Sequence, residues 1–350
     1  MTLTIPLSEA QFPQSPHTLC ANESFTVEAF RYPNGIASIT LRNSRGSLEI
    51  LPFMGQIIWG AEFDGIDLTM TNMFEQPMPA REIVDTYGCF AFHSGLLANG
   101  CPSPEDDHPL HGEFPCLPMA SARLDIDDDA LSLVSVGEYV KGFGHHYRAE
   151  PRVTLRKDSA IFDIGMAVTN LSAYQPMPLQ YMCHMNYAFV PEGQMSQNLP
   201  EGAFKLRSTV PAHVTPTPAW EAINASITRG EVDADSLHGA EAFDPEIVYF
   251  ADDLAQYGER VHCELALPSG PRFATEFSSE EFSTATRWIL HNPDQKVAAF
   301  VLPGTSRPEG FKAAQAQGTL IQLEAGQTRE FCVRTGLLAE NETLDEGELS

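Results

Sequence analysis

The chain has 350 residues, with 47 Asp and Glu against 21 Lys and Arg, a formal net charge of −26 and an isoelectric point near 4.6. A field of that sign repels polyanions, which sets nucleic acid and anionic membrane aside as partners and disfavours sugar phosphates. No apolar run approaches the roughly 18 residues of a membrane span. The start, Met1-Thr2-Leu3-Thr4-Ile5-Pro6, lacks the basic-then-apolar order of a secretory signal. The 7 cysteines are scattered, with no CxxC pair. An odd, dispersed set fits free thiols in a reducing cytoplasm better than a disulfide framework or a zinc site.

Taken in order, short runs rich in β-branched and aromatic residues recur between turn signals. Phe25 to Tyr32 precedes Pro33-Asn34-Gly35, Ile36 to Leu41 precedes Arg42-Asn43-Ser44, and Ser47 to Leu51 leads into Pro52. Gln56 to Phe63 stops at Asp64-Gly65, and Ala122 to Ile126 is followed by three aspartates. Leu131 to Val136, Arg152 to Arg156, Ala160 to Asn170 and Pro178 to Phe189 continue the pattern. Glu246 to Phe250, Val261 to Leu267, Arg272 to Phe277, Val297 to Leu302, Thr319 to Leu323 and Thr328 to Leu337 complete it.

Short strands at such spacing, bounded by Gly, Pro, Asn and Asp, predict an all-β fold, a large antiparallel β-sandwich or barrel. No long window carries a helical apolar stripe. No repeat, low-complexity run or linker divides the chain, so residues 1–350 read as one domain. Residues 1–24, with Pro6, Pro13 and Pro16, are expected to wrap the surface without regular structure, and the acidic tail at 339–350 is expected to fray. Leu199 to Pro245 breaks the strand rhythm with five prolines and reads as a long excursion over one face, either a lid or a decoration.

Two polar islands interrupt this scaffold. Phe92 to Pro115 gathers His93, Asn99, Glu105, Asp106, Asp107, His108, His111 and Glu113 among glycines and prolines, and reads as a connection. A solvated loop is the plainer account of it. The second, Gln180-Tyr181-Met182-Cys183-His184-Met185-Asn186, is more telling. On a strand Gln180, His184 and Asn186 share one face, and buried polar side chains there need partners. A hydroxyl-dense carbohydrate is one such partner. Arg307 is one of several arginines able to grip a hydroxyl or carboxylate, although a structural ion pair explains any one of them more simply. A metal held by His93, His108, His111 and His184 is geometrically conceivable; the expectation is no metal and no cofactor.

These islands, with Pro52-x-x-Gly55-x-x-Ile58-Trp59, Phe63-Asp64-Gly65, Gly95-Leu96, Asn99-Gly100, Leu110-His111-Gly112-Glu113, Val168-Thr169-Asn170, His184-x-Asn186 and Leu323-x-x-Gly326, resemble the aldose 1-epimerase (galactose mutarotase-like) family, in particular its bacterial epimerase-like branch. The resemblance runs from about Ser47 to Leu338. It implies a large antiparallel sandwich and interconversion of the anomers of a free sugar or sugar acid by general acid–base ring opening. His184 matches the family's proton-donating histidine and His111 the histidine that orients the sugar, with His93, Asn99, Glu113, Asn186 and Arg307 as candidate substrate contacts. Such a proton transfer contributes on the order of 10²–10⁴-fold to rate.

One position departs from the family pattern. Where the family places its glutamate base on a late strand, this chain reads Phe300-Val301-Leu302-Pro303, and leucine accepts no proton. Glu309 is the nearest carboxylate in sequence and Glu113 the other candidate, unless each serves only a turn or an ion pair. The alternative is a carbohydrate-binding protein that has lost the base. Partners are then a small-molecule carbohydrate and, through sandwich edges, a second copy in a homodimer.

Overall fold

A computed structural model of the protein describes residues 2–211, 214–239 and 243–344. Its strands form two large sheets, and every pairing between them is antiparallel. One sheet has nine strands in the order Leu3–Leu7, Ser121–Ile126, Ala130–Val140, His146–Arg156, Ile161–Asn170, Thr328–Leu338, Arg272–Ser278, Arg260–Ala266 and Gln194–Gln197. The other has thirteen. Its middle runs Ile247–Ala251, Thr284–His291, Lys296–Gly304, Met177–Met185, Ala91–Leu96, Ile57–Phe63 and Gly46–Leu51. The sheets pack face to face: Phe63 stacks on Phe162 at 5.7 Å, and the Tyr187 hydroxyl lies 2.6 Å from Thr335 Oγ1 across the interface. The all-β antiparallel sandwich expected from strand spacing is what the chain forms.

Burial patterns show which strands matter for function. His146–Arg156 alternates buried and exposed positions along most of its length, as a strand with one face on the core and one in water must. Lys296–Gly304 is buried at every position but Lys296, and Met177–Met185 at every position but Pro178. These central strands are therefore covered on both faces. Their inner face meets the other sheet; their outer face is roofed by the connections around residues 69–90, 97–118, 205–211, 214–239 and 243–246. A second apolar cluster, separate from the main core, lies on this outer side and includes Leu51, Trp59, Ile83, Cys89, Phe92 and Cys116.

Several expectations need correction. The Phe92 to Pro115 stretch is not wholly a connection, because Ala91–Leu96 is a fully buried strand at the middle of the large sheet. Glycine and serine there obscured the β pattern. The first residues are not without regular structure: Leu3–Leu7 pairs with Ser121–Ile126 and His17–Ala21 with Thr26–Arg31, each an edge strand. The excursion after Leu199 contains a helix, Pro218–Thr228. Thr217 caps it by accepting a hydrogen bond from the Trp220 N–H, with Pro218 in the first turn, a start signal that lay in the sequence. Only Ile227 of that helix is buried, so no apolar stripe announced it. Of the acidic tail, Glu342 pairs with Arg45 at 2.8 Å, and residues 345–350 lie outside the described residues.

Gly100 joins the roof to the sheet. It sits at φ +77°, and a Cβ there would lie 2.1 Å from the Pro308 carbonyl carbon. Gly35, at φ +96°, has nothing within 4 Å of the same notional atom. Gly35→Ala is therefore expected to cost about 1 kcal/mol from backbone conformation alone. Gly100→Ala adds a backbone clash and should cost at least ~3 kcal/mol. Urea unfolding of the two variants measures the difference, and equal losses would contradict the close approach.

Candidate functional site

The site grows from the alternation of the Met177–Met185 strand. Tyr181, Cys183 and Met185 point into the core, which turns Gln180, Met182 and His184 outward, with Asn186 just beyond on the same side. His184 stands opposite Phe92 across the strand pair, and the two rings stack at 4.5 Å and 15°. Its Nε2 lies 3.2 Å from the Tyr87 hydroxyl. Burial, then the neighbouring His111, push the His184 imidazole well below its ordinary pKa, with the Asn186 side chain acting in the opposite sense. His184 is neutral at pH 7.

His111 arrives from the roof. Its backbone is held in the left-handed region at φ +62° by two hydrogen bonds, His111 N–H to Gly100 O and Gly95 N–H to His111 O, both 2.9 Å. Gly112 follows at φ +81°, where a Cβ would meet the Ala98 carbonyl oxygen at 2.1 Å, so only glycine lets this turn press onto the sheet. The result sets the His111 ring edge-on to His184, centroids 4.7 Å apart at 82°. Ser94 Oγ lies 3.0 Å from His111 Nδ1 and gives its own proton to Asn99 Oδ1. A hydroxyl has one hydrogen, so Nδ1 of His111 is the donor in that contact.

The two histidines form the floor of a cavity of about 380 Å³, within the size range of small-molecule sites. Tyr87, Trp288, Met182 and Leu302 make apolar walls, while Arg207, Asp244, Glu246, Asn292 and Gln295 supply polar groups. Trp288 lies 5.7 Å from His184 and donates its indole N–H to Glu246 Oε2 at 2.7 Å. The Trp220 indole holds the Glu246 carbonyl oxygen, which ties the Pro218–Thr228 helix to the cavity wall.

The residues singled out from sequence divide sharply. His111 and His184 line the cavity together. Asn99 and Asn186 lie beneath it, both buried. Asn99 steadies Ser94, and Asn186 donates to the Cys89 carbonyl oxygen at 2.9 Å. His93 points to the inner face, against Tyr181, and so cannot join His184 or His111 in any metal site. Among the described residues no three His, Cys, Asp or Glu side chains converge as metal ligands do. Glu113 accepts from the Leu96 and Leu97 N–H groups at 3.0 Å and from the Tyr147 hydroxyl at 2.7 Å, a carboxylate used to pin the roof. Arg307 is engaged by Asp252, and Glu309 accepts from Thr209 and lies 3.5 Å from Arg207. Neither lines the cavity, although Pro308 between them does.

Leu302 does line it, so the leucine noted in the sequence is part of the wall. Tyr87 and Glu246 were missed. Tyr87 follows a single 3₁₀ turn at Ile83–Thr86, a segment without periodicity, and Glu246 reads as an ordinary start to the Ile247–Ala251 strand.

A family model described as a domain of unknown function, DUF4432, matches residues 33–337. No curated protein matches the sequence. Among solved structures, a Klebsiella pneumoniae protein provisionally designated an aldose 1-epimerase superposes with a TM-score of 0.79 at 14% identity, covering 97% of this chain and 92% of its own. A galactose mutarotase-like protein from Clostridium acetobutylicum gives 0.62 at 14% identity over 91% and 100%. Galactose 1-epimerase from Lactobacillus acidophilus gives 0.53 at 10% over 97% and 99%. At these identities the fold is shared: the chain is a galactose mutarotase-like sandwich. No helix among the described residues is long and apolar enough to cross a membrane, and none of the seven cysteines is joined in a disulfide.

Burial also holds His93 neutral, lowering its pKa to about 3. The unfolded chain gains a proton near pH 6.5 that the native state refuses until near pH 3. The stability from keeping His93 neutral is therefore complete above 6.5 and lost as pH falls, by up to about 1.4 kcal/mol per pH unit. Urea unfolding between pH 6.5 and 4.5 should be flatter in His93→Gln by about that slope. Equal slopes would mean that His93 is not held neutral.

Proposed function

The chain belongs to the DUF4432 family, and from that premise we propose that it is an aldose 1-epimerase-like enzyme that interconverts the anomers of a free sugar. The observation that carries this reading is the contact between His111 and His184 at the floor of a cavity of about 380 Å³. Two imidazoles from distant parts of the chain, one on a central strand and one on a strained turn, are brought edge to face beside an opening. Histidine is suited to exchanging protons near neutral pH. A pyranose has an apolar face for Trp288 and a rim of hydroxyls for Glu246, Asp244, Asn292 and Gln295, which line the same cavity.

Ring opening needs the proton of the anomeric hydroxyl removed while the ring oxygen receives one; rotation about the C1–C2 bond and closure on the other face complete the exchange. His184 is the proton-exchanging group, and His111, fixed through Ser94, is the group that orients the sugar. Anomer exchange of a panel of aldoses and uronic acids, followed by polarimetry or exchange NMR, should run faster than the buffer background for at least one sugar. His184→Ala should lower that rate by about 10²-fold or more. Background rates throughout the panel would end the enzymatic reading.

Leu302 favours a second reading, a carbohydrate-binding protein without turnover, because it puts an alkyl chain on the cavity wall where the family resemblance calls for a carboxylate. That reading expects ligand-dependent thermal stabilisation with no anomer exchange, and the appearance of exchange in Leu302→Glu. Exchange by the unaltered protein rules it out.

A further inference from the structure

We propose that Tyr87 and His184 act as an acid–base couple, with His184 Nε2 taking the proton of the anomeric hydroxyl and the Tyr87 hydroxyl giving one to the ring oxygen. This rests on the mutarotase reading above, and it assigns His184 the role opposite to the one its family resemblance implies.

The geometry begins with the 3.2 Å contact between Tyr87 Oη and His184 Nε2. Burial drives the Tyr87 phenol well above its usual pKa, so its oxygen keeps the hydrogen and has one to donate to Nε2. With the hydroxyl as donor, His184 Nε2 presents a lone pair and the ring hydrogen sits on Nδ1, the tautomer the couple requires. On that side Nδ1 and Asn186 Oδ1 are both buried without a hydrogen-bond partner, and the Asn186 side chain favours a proton on the ring. A neutral imidazole in this tautomer has nothing to give from Nε2. The ring oxygen of a pyranose carries lone pairs only, whereas the anomeric hydroxyl carries a hydrogen. Of the two oxygens that exchange protons in ring opening, the one that can donate to Nε2 is therefore the anomeric oxygen.

The donor that remains beside it is Tyr87. Its ring is wedged among Phe92, His111 and Trp288, with centroids 5.5, 6.1 and 6.0 Å away, so the hydroxyl is held at the cavity wall. In the step, the anomeric O–H bond breaks and its proton passes to Nε2. The freed electron pair forms the C1 carbonyl, and the C1–O5 pair moves to the ring oxygen, which takes the Tyr87 proton. After rotation, ring closure runs the same transfers backwards: Tyr87 recovers its proton from O5 and Nε2 returns one to O1. The couple ends as it began, and a carboxylate at Leu302 is not required.

Tyr87→Phe removes the hydroxyl and keeps the ring. It is expected to lower kcat for anomer exchange by about 10²-fold or more while KM changes by less than about 3-fold. Nitrogen-15 NMR of the unliganded protein at pH 7 should show His184 neutral with hydrogen on Nδ1, and less uniformly so in Tyr87→Phe. Unchanged kcat in a folded Tyr87→Phe overturns the couple, as does hydrogen on Nε2 of His184 in the unaltered protein. Should the unaltered protein bind sugar without exchanging anomers, the enzymatic reading itself falls and takes the catalytic couple with it. The tautomer measurement tells that failure from a misplaced proton.

Discussion

The structure depends on polar side chains buried on the outer face of its central strand. Gln180, His184 and Asn186 lie where a sandwich would ordinarily meet water or apolar packing, and all three are almost wholly enclosed. Each unpaired buried polar group costs about 1–3 kcal/mol, so the chain around them is arranged to supply partners. Ser306 receives the Gln180 amide at 2.9 Å, the Cys89 carbonyl receives Asn186, and Tyr87 meets His184. Satisfaction stops short of completion at Gln180 Oε1, Asn186 Oδ1, His184 Nδ1 and Asn99 Nδ2. Residual polarity of that kind beside a cavity belongs to a place shaped for something other than stability.

The roof shows how this polarity is enclosed without regular structure. Residues 97–118 form no strand, and their backbone groups must still find partners. Glu113 takes two backbone N–H groups and a tyrosine hydroxyl, Asp106 takes the Lys312 N–H, and His108 Nε2 takes the Phe311 N–H. The density of His, Asp and Glu in this loop thus serves mostly to pin it to the sheet and to the start of the Phe311–Gln317 helix. Only His111 is turned to the cavity, by a left-handed residue followed by a glycine that tolerates no side chain. Arg307 and Glu309 are absorbed the same way, into a chain of ion pairs linking Asp252, Arg307, Glu309 and Arg207. Arg207 lines the cavity at the end of that chain, so the charge on its wall is set by partners outside it.

Leu302 alters the chemistry open to the floor. With an alkyl group on that wall, the titratable side chains left around the floor are the imidazoles, the Tyr87 phenol, Asp244 and the Glu246 carboxylate that Trp288 holds. Burial keeps His184 neutral and Tyr87 protonated, two groups whose pKa values are driven apart while their polar atoms stay in hydrogen-bonding range.

The sequence by itself determined the all-β class, most of the strands, and the pairing of His184 with Asn186 on one face. Alternation and turn residues are local properties written every two to four positions. It could not reveal Ala91–Leu96 as a strand, because a central strand covered on both faces loses its alternation. Nor could it separate His111 from His93 and His108, or Glu113 and Glu309 from Glu246. Those distinctions depend on which way a turn points and which strand lies opposite, contacts between residues far apart in the chain. Tyr87 is the clearest case: nothing near it in sequence marks it, and only the fold carries a 3₁₀ turn from the roof down to Nε2 of a histidine 97 positions away.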